Sequence, residues 1–317
     1  MKKSLFLGLA VAAMFGTNAM ADTLDSVKKN DHVKCGVSTG LAGFSAADEK
    51  GEYQGIDVDV CRAVAAATLG DSKKVKFIPL TAKERFTALQ SGEIDMLSRN
   101  TTWTLTRDAS LGLNFAGVNY YDGQGFMVSK ALGVSSAKEL DGAAVCIQAG
   151  TTTELNLSDY FKANGMSFKA VTYDTSDQTI KGFEAGRCDM LTSDQSQLYS
   201  LRIKLAKPDD AIVLPEVISK EPLGPVVRQG DDKWFNIVRW SLNAMINAEE
   251  MGITKANVAS MKDGKDPATQ RMMGGQGEKL GLDDSWSYNI ISQVGNYGES
   301  FEANVGSGSP LKIGRGL

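Results

Sequence analysis

Residues 88–98 read ALQSGEIDMLS, and residues 182–192 read GFEAGRCDMLT. Each stretch holds a glycine, two further residues, then Asp-Met-Leu and a hydroxyl side chain, at an offset of 94 residues. The segments upstream agree. The first copy predicts strand Val33–Ser38, helix Asp57–Leu69, strand Val75–Leu80, helix Lys83–Ser91 and strand Ile94–Ser98. The second predicts strand Ala143–Gln148, helix Thr152–Ala163, strand Phe168–Tyr173, helix Ser176–Ala185 and strand Cys188–Thr192. Period decides these assignments. Ile56, Val60, Val64 and Ala67 recur at helical spacing, whereas VKFIPL is a short run bounded by polar residues. Gly92 and Gly186 fall where a helix stops in left-handed geometry. Thr81-x-x-Glu84 and Thr151-x-x-Glu154 have the spacing of capping boxes.

Strands alternating with helices imply parallel sheets with right-handed crossovers. The expected fold class is therefore α/β, with two βαβαβ lobes; a single long doubly wound sheet is the alternative. Tyr120–Gly125, polar and glycine-bearing, reads as one crossing between the lobes. Ser219–Pro225, with two prolines and a glycine, reads as the second, so the hinge has two segments. Phe235, Val238, Leu242, Met245 and Ile246 make Trp234–Ala248 an amphipathic helix returning to the first lobe. The boundaries are then 22–124 and 221–317 for lobe 1 and 125–220 for lobe 2.

Residues 1–21 have the form of a secretory signal. Lys2 and Lys3 precede an apolar run from Leu5 to Phe15, and Ala19-Met20-Ala21 is an A-x-A cleavage site. The run is too short to span about 30 Å of hydrocarbon. Cleavage after Ala21 would leave a soluble, exported chain with no lipid-bearing cysteine at its start. The formal charge is −4 for 317 residues, with 42% hydrophobic and 23% charged side chains. That acidic balance argues against a nucleic-acid binder, which needs a basic face. One histidine, His32, argues against Ser-His-Asp and Cys-His enzymes and excludes a metal site built on several histidines.

Cys35, Cys61, Cys146 and Cys188 lie in a chain bound for an oxidising compartment, where disulfides persist. Four cysteines allow three connectivities. Cys35–Cys61 and Cys146–Cys188 each stay inside one lobe, and a bond between lobes would lock the hinge. No C-x-x-C pair supports a zinc site.

Ligands of open α/β sheets bind beyond the carboxyl ends of the strands, so the site is expected in the cleft between the lobes. Ser38–Leu41 follows the first strand of lobe 1, and Ser98–Trp103 follows its third, leading to Arg107. Gln148–Thr153 follows the first strand of lobe 2 at a helix start, and Ser193-Asp194 follows its third. Arg107 supplies a planar fork for a carboxylate, with Asn100 and Thr102 on the same loop. The Gly-Thr-Thr-Thr turn offers backbone N–H groups to an anion. Asp194 suits an ammonium. One arginine, one helix N-terminus and one aspartate describe the zwitterion of an α-amino acid.

Gly55-Ile-Asp-Val-Asp-Val60, continuing into the Cys61–Thr68 helix, resembles the signature of the periplasmic polar amino-acid-binding proteins of ABC transporters (bacterial solute-binding protein family 3). Leu97–Thr104 and Gln148–Glu154 are most similar to its general L-amino-acid and glutamate/glutamine/aspartate/asparagine receptors. The resemblance covers about residues 30–250 and implies a type II periplasmic binding protein fold. It implies that Arg107, Thr102 and the backbone at Asn100 hold the ligand carboxylate. Thr152 would close on that carboxylate from lobe 2, and Asp194 would pair with the ammonium. Arg85 matches a position that reads an acidic side chain. Ser38 matches one whose charge varies with specificity, and Leu41 falls where many relatives carry an aromatic wall. A broad, polar or acidic preference follows. The general receptors share an extension like residues 251–317. The implied protein is a monomeric receptor, not an enzyme, without cofactor, delivering L-amino acids to an inner-membrane permease. A dehydratase-like enzyme on the same fold and a sensor feeding a chemoreceptor are the rival readings.

Overall fold

The computed structural model describes residues 22–315. The expected signal sequence therefore lies outside the described residues. The chain starts with α1 (Thr23–Asn30) and β1 (Val33–Ser38). A short ribbon, β2 (Ala46–Ala47) and β3 (Tyr53–Gln54), leads into α2 (Ile56–Leu69), then β4 (Val75–Leu80) and α3 (Arg85–Ser91). β5 (Met96–Leu97), α4 (Leu105–Ser110) and β6 (Leu113–Phe115) complete this half, and β7 (Tyr120–Asp122) leaves it.

The second half holds β8 (Gln124–Ser129), β9 (Ala144–Gln148), α5 (Thr152–Ala163), β10 (Lys169–Tyr173) and α6 (Ser176–Glu184). β11 (Met190–Asp194), α7 (Gln195–Arg202) and β12 (Ala211–Val213) follow. The chain returns through β13 (Glu221–Leu223) to β14 (Val226–Arg228) and α8 (Asp232–Glu250). Four further helices close it: α9 (Val258–Lys262), α10 (Pro267–Met273), α11 (Trp286–Gln293) and α12 (Tyr297–Asn304).

The two large sheets share one pattern, β4-β1-β5-β14-β6 and β10-β9-β11-β8-β12. Neither is wholly parallel, which corrects the expectation from strand–helix alternation. β14 runs antiparallel to β5 and β6, and β8 runs antiparallel to β11 and β12. Both reversed strands directly follow a crossing, so the chain enters each sheet against the direction of its crossover units. The crossings are themselves paired: β7 and β13 form an antiparallel ribbon with Asp122 opposite Glu221 and Tyr120 opposite Leu223. Two hydrogen-bonded strands between two rigid lobes make the hinge.

Gly55 shows why α2 begins where it does. Its φ is +133°, and a Cβ there would lie 2.0 Å from the Phe44 carbonyl oxygen, so only glycine fits. α2 is buried on two sides. Val60, Cys61, Val64 and Ala65 pack with Val33, Val37, Trp234 and Val238. Ala63, Ala66 and Ala67 pack with Met245, Ala248, Ile290 and Ile291. A helix apolar on most of its circumference must be covered on most of it, and α11 supplies the second cover. Each large side chain buried here stabilises the fold by roughly 1.5–3 kcal/mol. The second lobe has its own cores, with Phe126, Val145, Ile147, Leu157 and Phe161 on one face. Ile180, Phe183, Leu198 and Leu201 lie on the other. Cys35 is bonded to Cys61 and Cys146 to Cys188. No helix among the described residues is long and apolar enough to cross a membrane.

Candidate functional site: the interlobe cleft

The loop after β5 is tied to the hinge. Gly224 N donates to Thr101 O at 3.0 Å, and Trp103 N donates to Pro222 O at 2.8 Å. Asn100 holds a φ of +34°, a conformation asparagine tolerates better than most residues. Thr104 caps α4 by accepting from Arg107 N at 3.2 Å. That places the Arg107 guanidinium 5.1 Å from the Phe86 ring centre, with Nη1 donating to Thr102 O at 2.9 Å. Trp103 stacks on Phe115 and packs as a wall.

Arg85, at the start of α3, and Arg99, on this loop itself, are 2% and 3% exposed. Arg85 Nη1 reaches Arg99 O and Thr101 Oγ1, both at a long 3.4 Å, and its Nε has no partner among the described residues. Arg99 donates from Nε to Leu80 O at 3.0 Å. Burial, with the charges of Arg99 and Arg107, pushes Arg85 well below the usual guanidinium range, and Asp194 opposes this. Burial brings Arg99 down to about 10, against the pull of Asp57. Burial lowers Arg107 too, while Glu221 and Asp194 favour its charge. None of the three forms an ion pair within 4.0 Å among the described residues. Buried charges without a partner are costly, and an anion placed among them would offset that cost.

Lobe 2 faces them with β9, β11 and the helix starts that follow. Thr151 Oγ1 donates to Gln148 O at 2.8 Å, and Glu154 accepts from Gly150 N at 2.9 Å. The expected Thr151–Glu154 capping box is therefore not made: Glu154 reaches one residue further back. The Thr81–Glu84 box is made reciprocally, one turn ahead of α3. Thr152 Oγ1 donates to Glu221 at 3.0 Å and lies 3.4 Å from Thr102 Oγ1. Asp194 precedes α7 yet caps nothing with its side chain. Burial, reinforced by Asp122 and Glu221, pushes its carboxyl well above the usual range, and Arg85 and Arg107 pull it back.

The lobes touch across the cleft. Lys83 and Asp174 meet at 2.7 Å. Ser200 Oγ donates to Ala42 O at 2.9 Å, Lys204 Nζ to Gly40 O at 3.2 Å and Asn100 Nδ2 to Gln197 Oε1 at 3.3 Å. Between them lies a cavity of about 20 Å³, lined by Arg85, Arg99, Asn100 and Thr102 of lobe 1. Gln148, Thr151, Thr152, Thr153, Ser193, Asp194 and Gln197 line it from lobe 2. Two larger hollows lie elsewhere, about 660 Å³ beside Trp240 and Trp286 and about 600 Å³ beside Phe183 and Leu205. Their charged side chains are all exposed, so neither presents the opposed buried charges of the cleft.

Five residues expected at the site line this cavity: Arg85, Asn100, Thr102, Thr152 and Asp194. Arg107 is not among the lining residues; it is held through Thr102 O. Ser38 is not brought there either. Its amide donates to Ser45 Oγ at 2.9 Å and its hydroxyl accepts from Gly40 N, which turns it into its own loop. Leu41 is buried with Phe44, Tyr120 and Phe301 rather than over the cavity. Arg99 and Gln197 were not foreseen. Arg99 stands next to Asn100 in a stretch already marked as a strand end, and that adjacency was its only signal.

Two α/β lobes on a two-stranded hinge close opposed charges into one crevice, an arrangement suited to capturing a small solute. Residues 33–256 match the family of bacterial extracellular solute-binding proteins, family 3, and the chain belongs to it. It is 58% identical over 319 residues to the general L-amino acid-binding periplasmic protein AapJ of Rhizobium johnstonii, covering 99% of this chain and 94% of that one. It is 54% identical over 322 residues to the glutamate/glutamine/aspartate/asparagine-binding protein BztA of Rhodobacter capsulatus, covering 100% and 95%. An ABC transporter periplasmic binding protein from Brucella ovis, solved with glutathione bound, superposes with a TM-score of 0.91. That protein is 57% identical, with 94% of this chain and 95% of the other covered.

Proposed function

We propose that the chain captures L-α-amino acids, with a polar or acidic preference, and presents them to an inner-membrane ABC permease from the periplasm. In this reading residues 22–124 and 221–317 act as lobe 1, residues 125–220 act as lobe 2, and the signal sequence is cleaved after Ala21. The carrying observation is the pairing of unmatched charges across one crevice: Arg85 and Arg99 from one lobe, Asp194 from the other. An acidic amino acid supplies every missing partner at once, its side-chain carboxylate facing Arg85 and Arg99. Its ammonium meets Asp194, and its α-carboxylate meets the Thr102 loop, which Arg107 backs, and the N-terminus of α5. Thr152 contributes mainly its backbone, because its hydroxyl is already committed to Glu221.

A space of about 20 Å³ holds roughly one water. An amino acid therefore needs the lobes parted further than this both to enter and to stay bound, and the hinge provides that motion. Because the ligand bridges both lobes only when they approach, it shifts the population toward closure. The permease then meets a receptor whose two lobes are held in a defined arrangement, as a monomer. Titration calorimetry against the twenty L-amino acids tests the reading, with glutathione added because it is bound in the Brucella ovis relative. Binding of one or more amino acids is the expected result; heat from none of them would end it.

A further inference from the structure

Asp57 lies at the start of α2, 1% exposed, far along the chain from every cavity-lining residue. Its carboxylate gathers three donors from two segments, the loop after β5 and the residue ahead of β7. Oδ2 accepts from Asn100 N at 2.6 Å. Oδ1 accepts from Ser98 Oγ at 3.3 Å and from Asn119 Nδ2 at 2.8 Å. Asn100 is the left-handed residue of the cleft loop. Asn119 stands directly before the hinge strand β7; its N donates to Leu223 O of β13 at 2.9 Å, and its O accepts from Tyr297 of α12 at 2.6 Å. One side chain thus pins the cleft loop and the root of the hinge to the same helix end, where the N-terminal dipole of α2 favours its charge.

We propose that Asp57 is a positioning residue that couples the cleft loop to the hinge, setting ligand affinity without touching the ligand. The inference rests on the amino-acid reading above. With Asp57 in place, the Asn100–Thr102 loop holds its geometry only together with the Asn119 end of the hinge. Loss of the carboxylate frees each to move without the other, and closure then no longer presents the loop to the solute in one arrangement.

The Asn119 amide also predicts which substitution is tolerated. Asn119 Oδ1 has no partner among the described residues. In Asp57→Asn the new amide oxygen still accepts from Asn100 N. Its NH₂ can donate to Asn119 Oδ1 once that amide turns over, and to Ser98 Oγ, so the three-way link survives.

The test is calorimetry of full-length mature protein with L-glutamate and L-glutamine, for wild type, Asp57→Ala, Asp57→Asn and Asn119→Ala, well below each melting midpoint. Asp57→Ala and Asn119→Ala are expected to weaken the better ligand at least tenfold while retaining the native circular dichroism spectrum. Asp57→Asn should stay within threefold. Lower melting midpoints with Kd unchanged in both alanine variants would make the cluster purely structural and overturn the proposal. So would Asp57→Asn losing as much as Asp57→Ala. If Asp57→Ala does not fold, Asn119→Ala decides alone, and wild-type affinity there overturns the coupling. Wild type that binds neither these nor any other amino acid overturns the proposed function instead, and this inference with it.

Discussion

Lys83 of lobe 1 and Asp174 of lobe 2 meet at 2.7 Å across the cleft mouth while remaining 55% and 64% exposed. The contact joins the lobes only when they approach, so it belongs to the closed form. Exposed pairs contribute little, because water screens them and two long side chains must be ordered. Lys83→Ala should therefore weaken ligand binding by less than about fivefold at physiological salt, and by less still at 1 M salt. Calorimetry at two ionic strengths checks this, and a tenfold loss that persists in high salt would contradict it.

Asp194 separates the two poles of the proposed ligand. Asp194→Asn should lower affinity for L-glutamate by roughly 2–5 kcal/mol, the range for removing one partner of a desolvated charge pair. Binding of glutarate, which lacks the ammonium, should change little. Equal loss for both compounds would remove the ammonium role.

Arg99 makes no ion pair among the described residues, and it lines the same cavity as Arg85. If these two read a side-chain carboxylate, Arg99→Ala should cost L-glutamate about tenfold more than L-glutamine, a difference of about 1.4 kcal/mol. Competition binding with both ligands measures it. Unchanged discrimination would return Arg99 to a role in packing the loop.

Asp122 is raised to about 6 by burial, against hydrogen bonds from Ser196 and Gly123. Its sign is opposite to that of a salt-bridged carboxylate. Between the ordinary value near 3.8 and about 6, the folded chain holds a proton that the unfolded chain has released. Unfolding free energy therefore rises as pH falls through that window and is lowest above it. Asp194, Asp57, Asp59 and Asp95 are raised as well and act in the same direction. The melting midpoint should climb from pH 7 to pH 5, and Asp122→Asn should flatten part of that climb. A midpoint that falls over the same interval would refute the assignment.

Much of the architecture is visible in the chain because its causes are local. The 94-residue offset exposes the duplication, and the glycines at 92 and 186 mark helix ends; both adopt the left-handed backbone. β8 and β14 were hidden for a physical reason. Strand direction depends on where a crossing enters the sheet, and short apolar runs such as Val226–Arg228 carry no sign of it. The site divides along similar lines. Residues beyond strand ends were legible because topology places them at the cleft. Arg99 and Gln197 were not, since only packing decides whether a long side chain turns inward. Ser38 sits at a strand end yet turns away, because Ser45 and Gly40 engage it locally. Asp57 was visible as part of a motif, but its three partners are brought together by tertiary structure alone.

The reversed strand of the first sheet has a consequence for biosynthesis. β14 lies between β5 and β6, yet it is translated after every strand of the second sheet. A nascent chain ending near residue 220 can assemble the later half in full, whereas the earlier half still has a gap in its middle and no Trp234 beneath it. The part made first is finished last. Truncation before Val226 should thus leave a competent C-terminal module attached to an N-terminal one that a protease can still enter.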